Sequence, residues 1–218
     1  MTGKCAKIIF MKKEKADKII QRLSLAYPDA KPELEYSTPF ELLVAVILSA
    51  QCTDKRVNVV TRELFKDYDT PARMLTLEKS QLEEYIKSCG LYRMKAEHIL
   101  SACKDIEEKF GGKVPETQQE LTTLAGVGRK TANVVYSVAF GGEAIAVDTH
   151  VFRVSNRLGL SNATTPLGVE KSLNELIDGN MRAKVHHYLI FHGRRCCKAR
   201  SPECEKCCVR NLCENKIK

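Results

Sequence analysis

Lys130 follows directly on the turn Gly126-Val127-Gly128-Arg129 and falls in the first turn of an apolar-periodic helix running from Thr131 to Phe140. The positive end of a helix dipole disfavours a cation at that position. That field, with any burial added, lowers the pKa of the amine and leaves more of it neutral. A neutral lysine amine is a nucleophile able to form a Schiff base. The local alternative is a lysine that simply pairs with a phosphate. The surrounding glycines match neither common nucleotide loop. A dinucleotide fingerprint needs a third glycine and a preceding strand, and a Walker loop needs Lys directly after its second glycine, where this chain has Arg129. What remains is a helical hairpin with a Gly-x-Gly turn. Gly126, Val127, Gly128 and Arg129 would offer backbone N–H groups at a helix N-terminus to a phosphate, without reading bases. The plain alternative is a hairpin with no ligand.

Eighteen residues beyond Lys130, Val147-Asp148-Thr149-His150 opens the segment Val151 to Leu158. Asp148 stands at an N-cap position. Capping occupies one carboxylate oxygen and leaves the other for a second role. His150, alone in a first turn, reads as structural. The cysteines carry the strongest chemical signal: Cys197, Cys204, Cys207 and Cys213 form C-x6-C-x2-C-x5-C. Four thiolates so spaced suit either zinc or an iron–sulfur cluster. Structural zinc usually uses two close pairs, and the single Cys-x2-Cys tilts the reading toward iron–sulfur. Cys196 and Cys208 leave two positions ambiguous by one residue. Cys5, Cys52, Cys89 and Cys103 are scattered and read as small apolar residues.

The chain that must position these groups has 218 residues, enough for one good core or two small ones. Its longest apolar run, Leu42 to Leu48, is far short of a membrane span. The N-terminus lacks the pattern of a secretory signal, so a disulfide framework is not expected and clustered thiols point to metal. The first ten residues read as an extension. From Arg182 to Lys218 there are ten Lys or Arg against three Glu, which is +7 of a net +8. A basic segment of this kind, Lys198 and Arg200 included, suits a phosphate backbone as well as a solvated surface.

Helical signals dominate, and no run alternates as a strand would. Thr38-Pro39-Phe40-Glu41 reads as N-cap, N1 proline and capping-box glutamate; Thr70-Pro71 and Thr117-Gln118-Gln119-Glu120 open further helices by the same logic. Gly90, Gly111-Gly112, Gly141-Gly142 and Gly159 are expected helix stops. The expectation is an all-α fold of nine or ten helices.

TPFELLVAVILSAQCTD (38–54), GLYRMKAEHI (90–99), GVGRKTANVV (126–135), AVDTHVFRVSNR (146–157) and HGRRCCKARSPECEKCCVRNLC (192–213) together resemble the endonuclease III family of DNA glycosylases, in the helix-hairpin-helix superfamily. The resemblance runs from Lys15 nearly to the end of the chain. It implies a bifunctional glycosylase and abasic-site lyase that acts on double-stranded DNA carrying an oxidised pyrimidine or an abasic site. Lys130 takes the nucleophile's place and Asp148 that of the aspartate in the VDTH motif. Cys197, Cys204, Cys207 and Cys213 would hold a [4Fe–4S] cluster, and Gln51 and Leu91 match the side chains inserted beside a flipped nucleotide.

The implied architecture is two helical lobes with DNA across a cleft. One is a six-helix lobe at 32–142; the other joins 1–31 to 143–218 and carries the cluster loop 197–213. A cytoplasmic monomer, not secreted and without membrane attachment, is expected. Ala125 replaces a common proline, Cys52 a usual alanine, and the doubled cysteines are atypical. Adenine-removing relatives lack the hairpin lysine, and mismatch thymine glycosylases typically carry tyrosine there. A DNA-binding protein without catalysis is the rival from another class.

Overall fold

The computed structural model describes the backbone of residues 3–214 and the side chains of residues 12–214. The side chains of the first ten residues, Cys5 among them, and the last two lysines of the basic tail lie outside the described residues. Among the described residues there is no strand. The α-helices are α1 (Gly3–Ala26), α2 (Pro39–Ser49), α3 (Asp54–Leu64), α4 (Pro71–Met74), α5 (Lys79–Ile86), α6 (Tyr92–Phe110), α7 (Gln118–Leu121), α8 (Arg129–Ala139), α9 (Thr149–Leu158), α10 (Pro166–Leu176) and α11 (Arg182–Arg195). That is eleven against the nine or ten expected, and two of them, α4 and α7, opened by the caps at Thr70 and Thr117, are single turns. No helix of the described residues is long and apolar enough to cross a membrane.

The chain divides into two compact units, Pro32–Gly141 and Met1–Lys31 with Gly142–Lys218. The first is built around α2. Thr38 Oγ1 accepts the Glu41 N–H at 3.2 Å, Pro39 supplies the N1 position, and the Glu41 carboxylate reaches past the cap to the Ser37 N–H at 2.6 Å. Every residue from Phe40 to Leu48 is buried. A helix apolar all round must be surrounded, and α3, α6 and α8 pack on it. In the other unit α9 and α1 pack on α11, around Ile19, Leu23, Val151, Val154, Val185 and Leu189.

The glycine stops divide. Gly111 and Gly159 cap α6 and α9 in the left-handed conformation, and Gly141 adopts it just past α8. Gly90 does not: the left-handed residue there is its neighbour Leu91, and the position begins α6 rather than ending α5. Cys89 and Cys103 are buried as expected of small apolar residues, while Cys52 is half-buried.

Candidate active site and metal loop

The hairpin is α7, a seven-residue connection and α8. Leu121, Leu124 and Val127 are buried beneath it, and the Val127 N–H donates to the Leu124 carbonyl at 3.1 Å. The Gln118 amide donates to the Oδ1 of buried Asn133 at 2.5 Å, which ties the two helices together. Gly126 has φ +74°, and a Cβ added there would lie 2.9 Å from the Cβ of His98. Glycine is therefore required on two counts, backbone conformation and space. Gly128 differs: nothing lies within 4 Å of an added Cβ. It is the N-cap of α8 and has no side chain to cap the first-turn N–H groups. Arg129 and Lys130 are exposed at that end. Among the described residues of its unit, no ion pair or hydrogen bond holds the Lys130 side chain.

Asp148 is the N-cap of α9, half-buried, with Oδ1 accepting the Val151 N–H at 2.7 Å. The second oxygen has no part in this bond. His150, one residue into the helix, is pushed below the usual histidine range by burial, with the Arg153 and Arg194 charges adding to the effect and Asp148 opposing it. Its Nδ1 lies 3.2 Å from Arg153 Nη2, which supports the structural reading of this ring.

Gln51 and Leu91 are brought together by their loops. Both are non-glycine residues with positive φ, +55° and +59°, a conformation uncommon enough to mark a held position. Both side chains are exposed. A Cβ on Gly90 would sit 3.3 Å from the Gln51 carbonyl oxygen, so the two loops touch.

The cysteine loop follows α11, and Val209, fully buried, roots it in the core. Cys197, Cys204, Cys207 and Cys213 are half-buried free thiols. Two arginines one turn apart on α9 hold the loop. Arg153 donates to the carbonyls of Gly193 and Cys197, and Arg157 to those of Lys198 and Ala199. Arg157 Nη1 also lies 3.5 Å from Cys197 Sγ, and the Cys213 thiol donates to the Arg157 carbonyl at 3.1 Å. The sequence signal for this pair was the spacing of Arg153 and Arg157, four apart on one helix face.

Among the described residues, the group that closes to metal-ligating distance is not the four cysteines of the spacing and includes a residue not singled out from the sequence. His192, Cys196 and Cys207 bring their ligand atoms within 4.8 Å of one another. His192 Nδ1 meets the Tyr27 hydroxyl at 2.9 Å, leaving Nε2 aimed at Cys207 Sγ, 3.7 Å away. Burial pushes His192 down to about 4, so the ring is neutral and able to ligate. The available signal was His192 one helical turn before Cys196. The loop is thus a cysteine-rich group able to hold metal, with more donors than any one ligand set needs.

Of the basic residues in this segment, Arg200 is exposed, and Lys198 is exposed but paired with Glu203 at 2.5 Å. Arg195 pairs with Asp29, and Arg210 with Glu205.

Residues 44–178 match the model of the HhH-GPD superfamily of base excision DNA repair proteins. Over 208 residues, 95% of this chain and 99% of the relative, the sequence is 49% identical to endonuclease III of Haemophilus influenzae. It is 51% identical over 195 residues to endonuclease III of Bacillus subtilis, 89% of each chain being covered. A solved structure of a trapped covalent intermediate between endonuclease III and DNA superposes with a TM-score of 0.89 at 48% identity, covering 93% of this chain and 96% of that one.

Proposed function

Because the chain belongs to the endonuclease III family of base excision DNA repair proteins, we propose that it excises oxidised pyrimidines from duplex DNA and then cuts the strand, with Lys130 as nucleophile and Asp148 as the supporting carboxylate. The observation that carries this reading is Lys130 itself, exposed in the first turn of a helix whose N-terminus is open and preceded by a glycine hairpin.

The C1′ atom is out of reach inside the base stack, so the nucleotide is rotated out, at a cost of roughly a few kcal/mol. With the Val127 N–H given to the Leu124 carbonyl, the other N–H groups of the hairpin turn receive the backbone phosphates. The Lys130 amine then forms a bond to C1′ as the glycosidic C–N bond breaks; the base leaves with the bonding pair and takes up a proton. The free oxygen of Asp148 stabilises the positive charge that develops on the sugar. Ring opening gives an imine between Lys130 and C1′. The imine acidifies the C2′ proton; its removal expels the 3′ phosphate, and water releases the amine. Gln51 and Leu91 fill the gap beside the extruded nucleotide.

Cys197, Cys204, Cys207 and Cys213 are the residues that would hold a [4Fe–4S] cluster, and their donor chemistry fits one: four free thiols on a loop fixed by two arginines. Bound there, the cluster supplies folding energy to the loop. A second set, His192, Cys196 and Cys207, favours a single ion such as zinc. The protein is read as cytoplasmic, on the nucleoid where the source is prokaryotic.

Borohydride reduction during the reaction tests the central claim. It should trap a covalent protein–DNA adduct, and Lys130→Gln should abolish trapping while DNA affinity stays within about tenfold. Trapping that survives Lys130→Gln would move the nucleophile elsewhere, with the N-terminal amine next in line. Lys95, on α6, has its ammonium committed to backbone carbonyls.

A further inference from the structure

Lys95 is 3% exposed, and among the described residues no carboxylate pairs with it. A buried ammonium without a counter-charge is costly unless its protons are satisfied. Here they go to backbone: Nζ donates to the Leu48 carbonyl at 2.8 Å and to the Ala50 carbonyl at 2.7 Å. Both oxygens belong to the C-terminal end of α2, where a helix leaves carbonyls without intrahelical donors and where its dipole favours a cation. The next residue is Gln51, in the left-handed conformation. The same lysine reaches the other loop through its main chain, since its N–H donates to the carbonyl of Leu91 at 3.1 Å. Gly90 closes the arrangement against the Gln51 carbonyl. One residue thus holds two carbonyls just before Gln51 with its side chain and the Leu91 carbonyl with its backbone. An apolar side chain of equal length would pack the same space without burying a charge.

We propose that Lys95 is a positioning residue for base extrusion: its ammonium fixes the carbonyls before Gln51, and so sets the two side chains that enter the duplex in their strained conformations. This rests on the reading of Gln51 and Leu91 as the inserted residues. Lys95 touches no DNA and takes no part in bond-making. Its contribution is to remove the freedom of the Gln51 loop before the duplex arrives, so that less ordering remains to be done on binding.

The quantity to measure is the ratio of single-turnover cleavage on a duplex bearing one oxidised pyrimidine to that on a single-stranded abasic oligonucleotide. Lys95→Met keeps the apolar stem and removes the donors. It should lower that ratio about tenfold, the scale of losing hydrogen bonds to a charged donor. Gln51→Ala should lower it likewise. The double variant should be no worse than Gln51→Ala alone, because the two residues act through one loop. A ratio equal to wild type in Lys95→Met, or losses that multiply in the double variant, would overturn the proposal. A Gln51→Ala ratio equal to wild type overturns instead the insertion reading beneath it. Should Lys95→Met fail to fold, Lys95→Gln carries the same comparison, its amide still able to reach one carbonyl.

Discussion

The carboxylate of Asp148 commits one oxygen to the Val151 N–H at 2.7 Å, and substitution can separate that bond from a charge effect on the sugar. Asn caps a helix about as well as Asp, so Asp148→Asn should melt within a few tenths of a kcal/mol of wild type. It removes the negative charge, and single-turnover base excision should fall by roughly 10²-fold or more, as when one preorganised electrostatic group is lost. Asp148→Ala loses the cap too and should cost about 1 kcal/mol of stability on top of the rate defect. Near-wild-type excision by a normally melting Asp148→Asn would make this residue a cap only. The N-cap was legible because Asp before an apolar helical run has few other readings. The place of Lys130 in the first turn of α8 was legible, and the structure shows that place to be exposed. Left-handed Gln51 and Leu91 were not legible as such. Propensity points to glycine for such positions, and Gly90 beside Leu91 drew the expectation to itself. Only tertiary contacts decide which neighbour takes the strain.

Helix ends were the most readable elements, because a cap is a local contract between a side chain and a backbone N–H three residues on. Thr38, Thr70 and Thr117 all accept such bonds. Helix length after the cap was less readable at Thr117, since α7 stops after one turn where packing, not propensity, sets the limit. The cysteine loop shows the same division. Spacing pointed to four thiols, but His192 is brought beside Cys196 and Cys207 by the turn of α11 and by Tyr27 from α1. Ligand identity is therefore a matter for measurement at this element. Purified protein should be yellow-brown, and Cys204→Ser should lower metal content and solubility together, because a short loop of this kind depends on its metal to fold. Cys196→Ser should leave the metal content as it is. Loss of metal in Cys196→Ser and in His192→Ala, with colourless protein holding one zinc per chain, would assign the buried triad instead.

Charge is a property of the whole molecule, and here its distribution says more than its sum. Of the +8, +7 lies between Arg182 and Lys218. In the folded chain that excess is not all available: Arg195, Lys198 and Arg210 each face a carboxylate, and exposed pairs of this kind are worth little to stability. Their larger effect is on what remains for a polyanion. Binding to undamaged duplex should weaken steeply with salt, because each phosphate neutralised releases counterions and contributes about −0.9 to the slope of log affinity against log salt. If the exposed Arg200 guanidinium meets a phosphate, Arg200→Ala should flatten that slope by about one, uniformly across sequences and without altering lesion preference. Lys198→Ala should flatten it less, since its ammonium must first leave Glu203. Glu203→Gln makes the complementary case: it frees Lys198 and should steepen the slope. An unchanged slope in Arg200→Ala would mean that this side chain points away from the DNA. The salt-dependent grip would then rest on the other basic side chains of the segment.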